Sequence, residues 1–77
     1  MKVEAGTNPL PYVQVGMILH RANVRESTYE VIVVSSAEGE ELLVTLEAEY
    51  GGDHRTLPAA EVRAEWTLFE EFDPDDA

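Results

Sequence analysis

The chain has 77 residues, with 16 Asp and Glu against five Lys and Arg, a net charge of −11 and no cysteine. That length fits one domain with a thin core, since a chain of this size buries only about 60% of the surface it exposes when unfolded. The composition excludes disulfides and thiolate metal sites, and the charge repels nucleic-acid phosphate.

The first eleven residues hold Gly6, Asn8, Pro9 and Pro11. These block regular structure, so residues 1–11 are expected to form a flexible tail. The opening stretch carries Lys2 but no apolar run, and no segment approaches the roughly 20 apolar residues of a membrane span. A cytoplasmic, soluble protein is expected, with no membrane partner.

Residues 12–72 read as one small β domain of short strands between turn signals. The first strand is expected over Val13–His20, with Gly16 as a bulge near its start. Tyr29–Val34 follows. Its consecutive Val31, Ile32, Val33 and Val34 suggest a strand covered on both faces. Ser35 to Glu40 reads as a turn. Leu42–Tyr50 alternates, with Leu42, Val44, Leu46, Ala48 and Tyr50 on one face and Leu43, Thr45, Glu47 and Glu49 on the other, the pattern of a half-buried strand. Gly51-Gly52 suits a type I′ hairpin, whose two central residues need positive φ. His54–Leu57 is then the returning strand.

Pro58-Ala59-Ala60-Glu61-Val62 reads as one helical turn with Pro at its first position. Trp66 and Leu68 then alternate with Thr67 and Phe69 as a fifth strand. The same stretch also admits an amphipathic helix, because Val62, Trp66 and Phe69 fall at i, i+4 and i+7. Two architectures stay open: a five-stranded barrel with one helical turn before the last strand, or a four-stranded sheet with a C-terminal helix. Asp73-Pro74-Asp75-Asp76-Ala77 reads as an acidic tail over residues 73–77.

The succession Val15-Gly16, Tyr29–Val34 with Leu42–Tyr50, Gly51-Gly52, and Glu61-Val62 leading into Trp66-Thr67-Leu68 resembles the SH3-like barrels, which include the Tudor and KOW modules. The charge pattern resembles that of small acidic proteins of halophilic microbes. The resemblance covers residues 12–72 and implies a mainly β, SH3-like barrel. It implies no particular function, since one fold hosts many. The chain also departs from these families. It lacks the exposed aromatic patch of polyproline binders and the basic loops of KOW modules. Only Tyr12 and Tyr50 are candidates for an aromatic cage.

The chemistry-bearing residues are few. His20 and His54 are the only histidines, too few for a zinc site of three or four ligands. His54 beside Asp53 has the elements of a base with an orienting carboxylate, but neighbours on a strand point to opposite faces. A solvent-facing hairpin histidine is expected there. No calcium loop and no phosphate-cradling glycine motif occur, and Trp66 reads as the plug of a small core. No catalytic residue, metal or cofactor is expected.

What remains is a set of arginines. Arg21 and Arg25 flank the loop after the first strand, and Arg55 and Arg63 flank the last hairpin and the helical turn. In an SH3-like barrel these regions could converge, and arginines on an acidic body could grip a carboxylate, a phosphate or a partner loop. The competing expectation is weak pairing with nearby glutamates, such as Arg63 with Glu61 and Glu65. With Tyr50 these four make the candidate partner-binding set. The leading functional reading is a non-catalytic interaction module of a high-salt cytoplasm, monomeric or weakly dimeric, that binds another protein. The alternative is a nucleic-acid-related regulator or a polynucleotide mimic.

Overall fold

The computed structural model describes residues 2–22, 24–36 and 42–76, with side chains described except at 24–26, 36 and 76. Five strands form one antiparallel sheet: β1 (Ile18–Arg21), β2 (Val24–Ser36), β3 (Leu42–Ala48), β4 (His54–Pro58) and β5 (Trp66–Leu68). Their spatial order is β4-β3-β2-β1-β5. A short helix, α1 (Ala59–Glu65), precedes β5, and a 3-10 turn closes the described chain at Pro74–Asp76. The mainly β architecture with one short helix before the last strand is the first of the two expected from the sequence, and the C-terminal helix is not formed. The sheet curls without closing into a barrel. β4 and β5 are its two edges, and α1 packs against β3, β4 and β5.

The core lies on the concave face. Leu19, Val31, Val44, Leu46 and Leu68 are fully buried there beside Trp66, and α1 adds Val62. The alternation of β3 predicts its centre well, since Val44 and Leu46 are buried, yet Leu42 is 47% and Tyr50 88% exposed. Both lie past the region that the neighbouring strands and helix cover. β2 is covered on one face rather than two. A shift in register between Val31 and Val33 breaks its alternation, and Val33 is exposed.

Local backbone chemistry fixes several boundaries. Gly16 has φ of 102° and sits in a turn, so the first strand starts at Ile18 and not at Val13. Gly51 and Gly52 both have positive φ, as expected, but Ala48 N–H bonds to Asp53 O at 2.7 Å, which makes the β3–β4 loop longer than two residues. Pro58 is the N-cap of α1 with extended backbone, one position earlier than expected. Much of the turn expected at residues 35–40 lies outside the described residues; Ser35 and Ser36 end β2.

The N-terminal segment is a strap and not a tail. Val3 and Leu10 are buried in the core. Val3 and Phe72 exchange backbone hydrogen bonds of 2.8 and 2.9 Å, and Gly6 N–H donates to Leu68 O at 2.7 Å. The prolines that prevent a helix or strand do not prevent packing. The strap also completes α1. A helix leaves its last carbonyls without partners. Here Leu10 N–H donates to Arg63 O and Ala22 N–H to Glu65 O, at 3.0 and 3.1 Å. Asn8 Nδ2 donates to Ala64 O and, beyond the helix, to Trp66 O, at 3.2 and 2.8 Å.

Candidate functional site: a cationic and aromatic notch

One mouth of the curled sheet is a notch of about 220 Å³ lined by Arg21, Ser27, Tyr29, Arg55 and Trp66. Register explains the grouping. Leu19 and Tyr29 are cross-strand partners, as are Leu19 and Leu68, Arg21 and Trp66, and Leu46 and Arg55. Directly opposed residues share a face, and so do residues two apart on one strand. The fully buried Leu19 and Leu46 therefore place Arg21, Tyr29, Arg55 and Trp66 all on the concave side.

The aromatic floor is closely packed. Tyr29 and Trp66 meet edge to face, with ring centroids 5.3 Å apart and planes at 89°. Trp66 is 1% exposed and Tyr29 9%. Arg55 lies over the Tyr29 ring, 5.6 Å from guanidinium carbon to centroid, a contact that holds a cation without neutralising it. Among the described residues Arg55 has no carboxylate in ion-pair range. Arg21 faces Glu65 at 3.6 Å, with both side chains about half exposed. A pair in that setting is weak, and an incoming anion can displace it. The guanidinium groups can bind an anion bidentately.

The five candidate residues separate. Arg21 and Arg55 line the same notch, while Arg21 also pairs with a nearby glutamate, Glu65, as the competing expectation has it. Tyr50 lines an adjoining hollow of about 180 Å³ that shares Ser27 and Tyr29 with the notch and is completed by Thr28, Ala48 and Asp53. Arg63 is elsewhere. Its Nε donates to Leu10 O at 2.8 Å, so it fastens the strap rather than pairing with Glu61 or Glu65. The side chain of Arg25 lies outside the described residues. Sequence reasoning missed Tyr29 and Trp66 as parts of the site because both look like core. They are core, and the notch uses their edges.

Two other places hold titratable groups. His54 Nε2 meets Glu47 across the β3–β4 pair at 3.0 Å, on the exposed face. His20 is buried beside a hollow of about 310 Å³ lined also by Ala5, Gly6, Thr67, Leu68 and Phe69. Its Nδ1 lies 2.8 Å from Arg21 O, and its ring meets Phe69 edge to face. Both contacts orient the imidazole as part of the wall. Among the described residues, no group of three or more His, Asp or Glu is placed to hold a metal ion, and no helix is long and apolar enough to cross a membrane. Comparison with known proteins gives no relative: no family model matches the chain, and neither a curated protein nor a solved structure is significantly similar to it.

Proposed function

We propose that the protein is a small non-catalytic interaction module, SH3-like in design and suited to a salt-rich cytoplasm, that binds another protein. One observation supports this reading above the rest. On a chain of net charge −11, two arginines line one notch with two aromatic rings, and one of them, Arg55, lies over the Tyr29 ring. That combination grips an anionic group on a partner. The guanidinium groups supply charge and directional donors, and the apolar floor limits how far water and salt weaken them.

A binding comparison tests the reading. A cognate partner should be retained from lysate in molar KCl by the native protein and lost with Arg21→Ala/Arg55→Ala. Arg63→Ala, away from the notch, should retain it. Equal retention by the native and doubly substituted proteins refutes the notch as the binding site.

A further inference from the structure

The two edges of the sheet are not equivalent. The strap covers β5: Gly6 N–H bonds to Leu68 O, and Asn8 Nδ2 bonds to Trp66 O. Among the described residues β4 has a neighbouring strand on one side only, namely β3. The hydrogen bond from Ala48 N–H to Asp53 O sets the alternation along the pair. Two residues on, the Leu46–Arg55 pair points its amide groups inward, and so does Val44–Leu57. His54 and Thr56 then point their N–H and C=O outward. Among the described residues nothing bonds the backbone of Thr56 on that side. An unpaired edge of this kind is a template for another strand.

The side chains of β4 say what kind of strand fits. The sequence His54-Arg55-Thr56-Leu57-Pro58 contains no carboxylate, although the chain as a whole has 16. Arg55 reaches from this edge into the notch. Leu57, two residues on, packs against the core from the same face. Thr56 lies on the other face, with its hydroxyl 3.2 Å from that of Thr45.

We infer that β4 accepts an extended acidic segment of a partner protein as a sixth strand, with an acidic side chain opposite Arg55 and an apolar one opposite Leu57. The recognised pattern is therefore acidic, any residue, apolar, or its reverse according to strand direction. Cross-strand neighbours have Cβ atoms roughly 4.5–5.5 Å apart, which brings the acidic group beside Arg55 and over the notch. Pro58 offers no N–H, and the chain then turns into α1, so the added strand ends there. This inference rests on the notch being the anion site and adds the backbone edge, the partner's conformation and its side-chain pattern.

The test uses the full chain in molar KCl. One probe is an acetylated, amidated ten-residue peptide of alternating Thr and Val with Glu-Thr-Val at its centre. The second is N-acetylglutamate amide, which can fill the notch but cannot form a strand. Binding is followed by amide chemical shifts and exchange. The peptide should slow exchange of the Thr56 amide at least tenfold. Thr56→Pro removes the outward N–H and the hydroxyl contact with Thr45 but no backbone bond to β3, and it should weaken the peptide at least tenfold while N-acetylglutamate amide still shifts the Trp66 and Tyr29 signals. Replacing the central Glu by Lys should abolish binding. If Thr56→Pro does not fold, the native protein with a peptide N-methylated at each backbone position in turn gives the same answer, since only alternate positions should matter. Peptide binding that ignores Thr56→Pro or N-methylation overturns the edge and leaves the notch standing. Failure of both probes overturns both. An edge occupied instead by β4 of a second copy would appear as a concentration-dependent dimer that excludes the peptide, and this too overturns the inference.

Discussion

Leu10→Ala measures whether the strap is part of the fold. Leu10 is fully buried, and its neighbours in the chain are Pro9 and Pro11. Truncation leaves the backbone bonds to Arg63 in place and removes only the side chain from the core. Losses of this type cost about 2–5 kcal/mol. A single core of this size supplies about 3–5 kcal/mol in all, so the substitution should remove most of the stability. The assay is urea unfolding in molar KCl, followed by the fluorescence of the single tryptophan, Trp66, which is 1% exposed. With an m-value of about 1 kcal/mol/M, the midpoint should fall by about 2 M or more, or the folded baseline should vanish. Leu42→Ala is the matched control, because Leu42 is 47% exposed, and it should change stability by no more than about 0.5 kcal/mol. Equal small effects from the two substitutions would refute the strap and restore the tail.

Gly16→Ala should destabilise by more than about 1 kcal/mol in the same assay, because an L-residue resists φ of 102°. Space is not the cause, since the added Cβ would meet Phe72 at an ordinary 3.5 Å. Thr28→Val should cost about 1 kcal/mol, the net worth of one hydrogen bond, by removing the 2.6 Å bond from the Thr28 hydroxyl to Glu49. Replacing Arg63 with Ala should lower stability by a similar amount through the lost bond to Leu10 O. The melting temperature should climb between dilute buffer and molar KCl, as screening reduces the Debye length to about 3 Å; a flat curve would contradict salt adaptation.

The sequence made the centre of the sheet readable and its margins unreadable, for physical reasons. Period-two alternation placed Val44 and Leu46 in the core because burial there depends on the strand itself. Leu42 and Tyr50 obey the same period, yet are 47% and 88% exposed. That depends on the reach of other elements, which alternation does not encode. The helix exceeds its expected single turn because its terminal carbonyls find donors on Asn8, Leu10 and Ala22. These partners are distant in sequence, so local propensity gave no hint of them. The strap was hidden by its prolines, which announce irregular backbone but say nothing about whether Leu10 is buried. At the site, the placing of Arg21 and Arg55 in one notch followed from topology. The diversion of Arg63 to a backbone carbonyl did not, because charge pattern offered it two glutamates within one helical turn. Tyr29 and Trp66 were legible as core and became site residues only where the core opens at the mouth of the sheet.

An acidic partner for an acidic protein sets two electrostatic terms against each other, and their ranges decide the outcome. Treating the −11 charges as centred about 12 Å from a docked carboxylate, near the 11.6 Å radius of gyration, gives an unscreened repulsion on the order of 3–4 kcal/mol in water. The attraction to Arg55 acts over about 4 Å, where a pair near a protein surface is also worth up to about 4 kcal/mol. In dilute buffer the terms nearly cancel. At 1 M salt the Debye length is about 3 Å, so the distant repulsion disappears while a contact against the Tyr29 and Trp66 rings keeps part of its strength. Affinity for the acidic peptide should therefore rise as KCl is raised from about 10 mM toward 1 M, the opposite of an isolated ion pair. Titration at a series of salt concentrations measures this. A steady fall in affinity across the range would mean that local attraction never faces a comparable opposing field, and would overturn the account of how so negative a surface recruits a carboxylate.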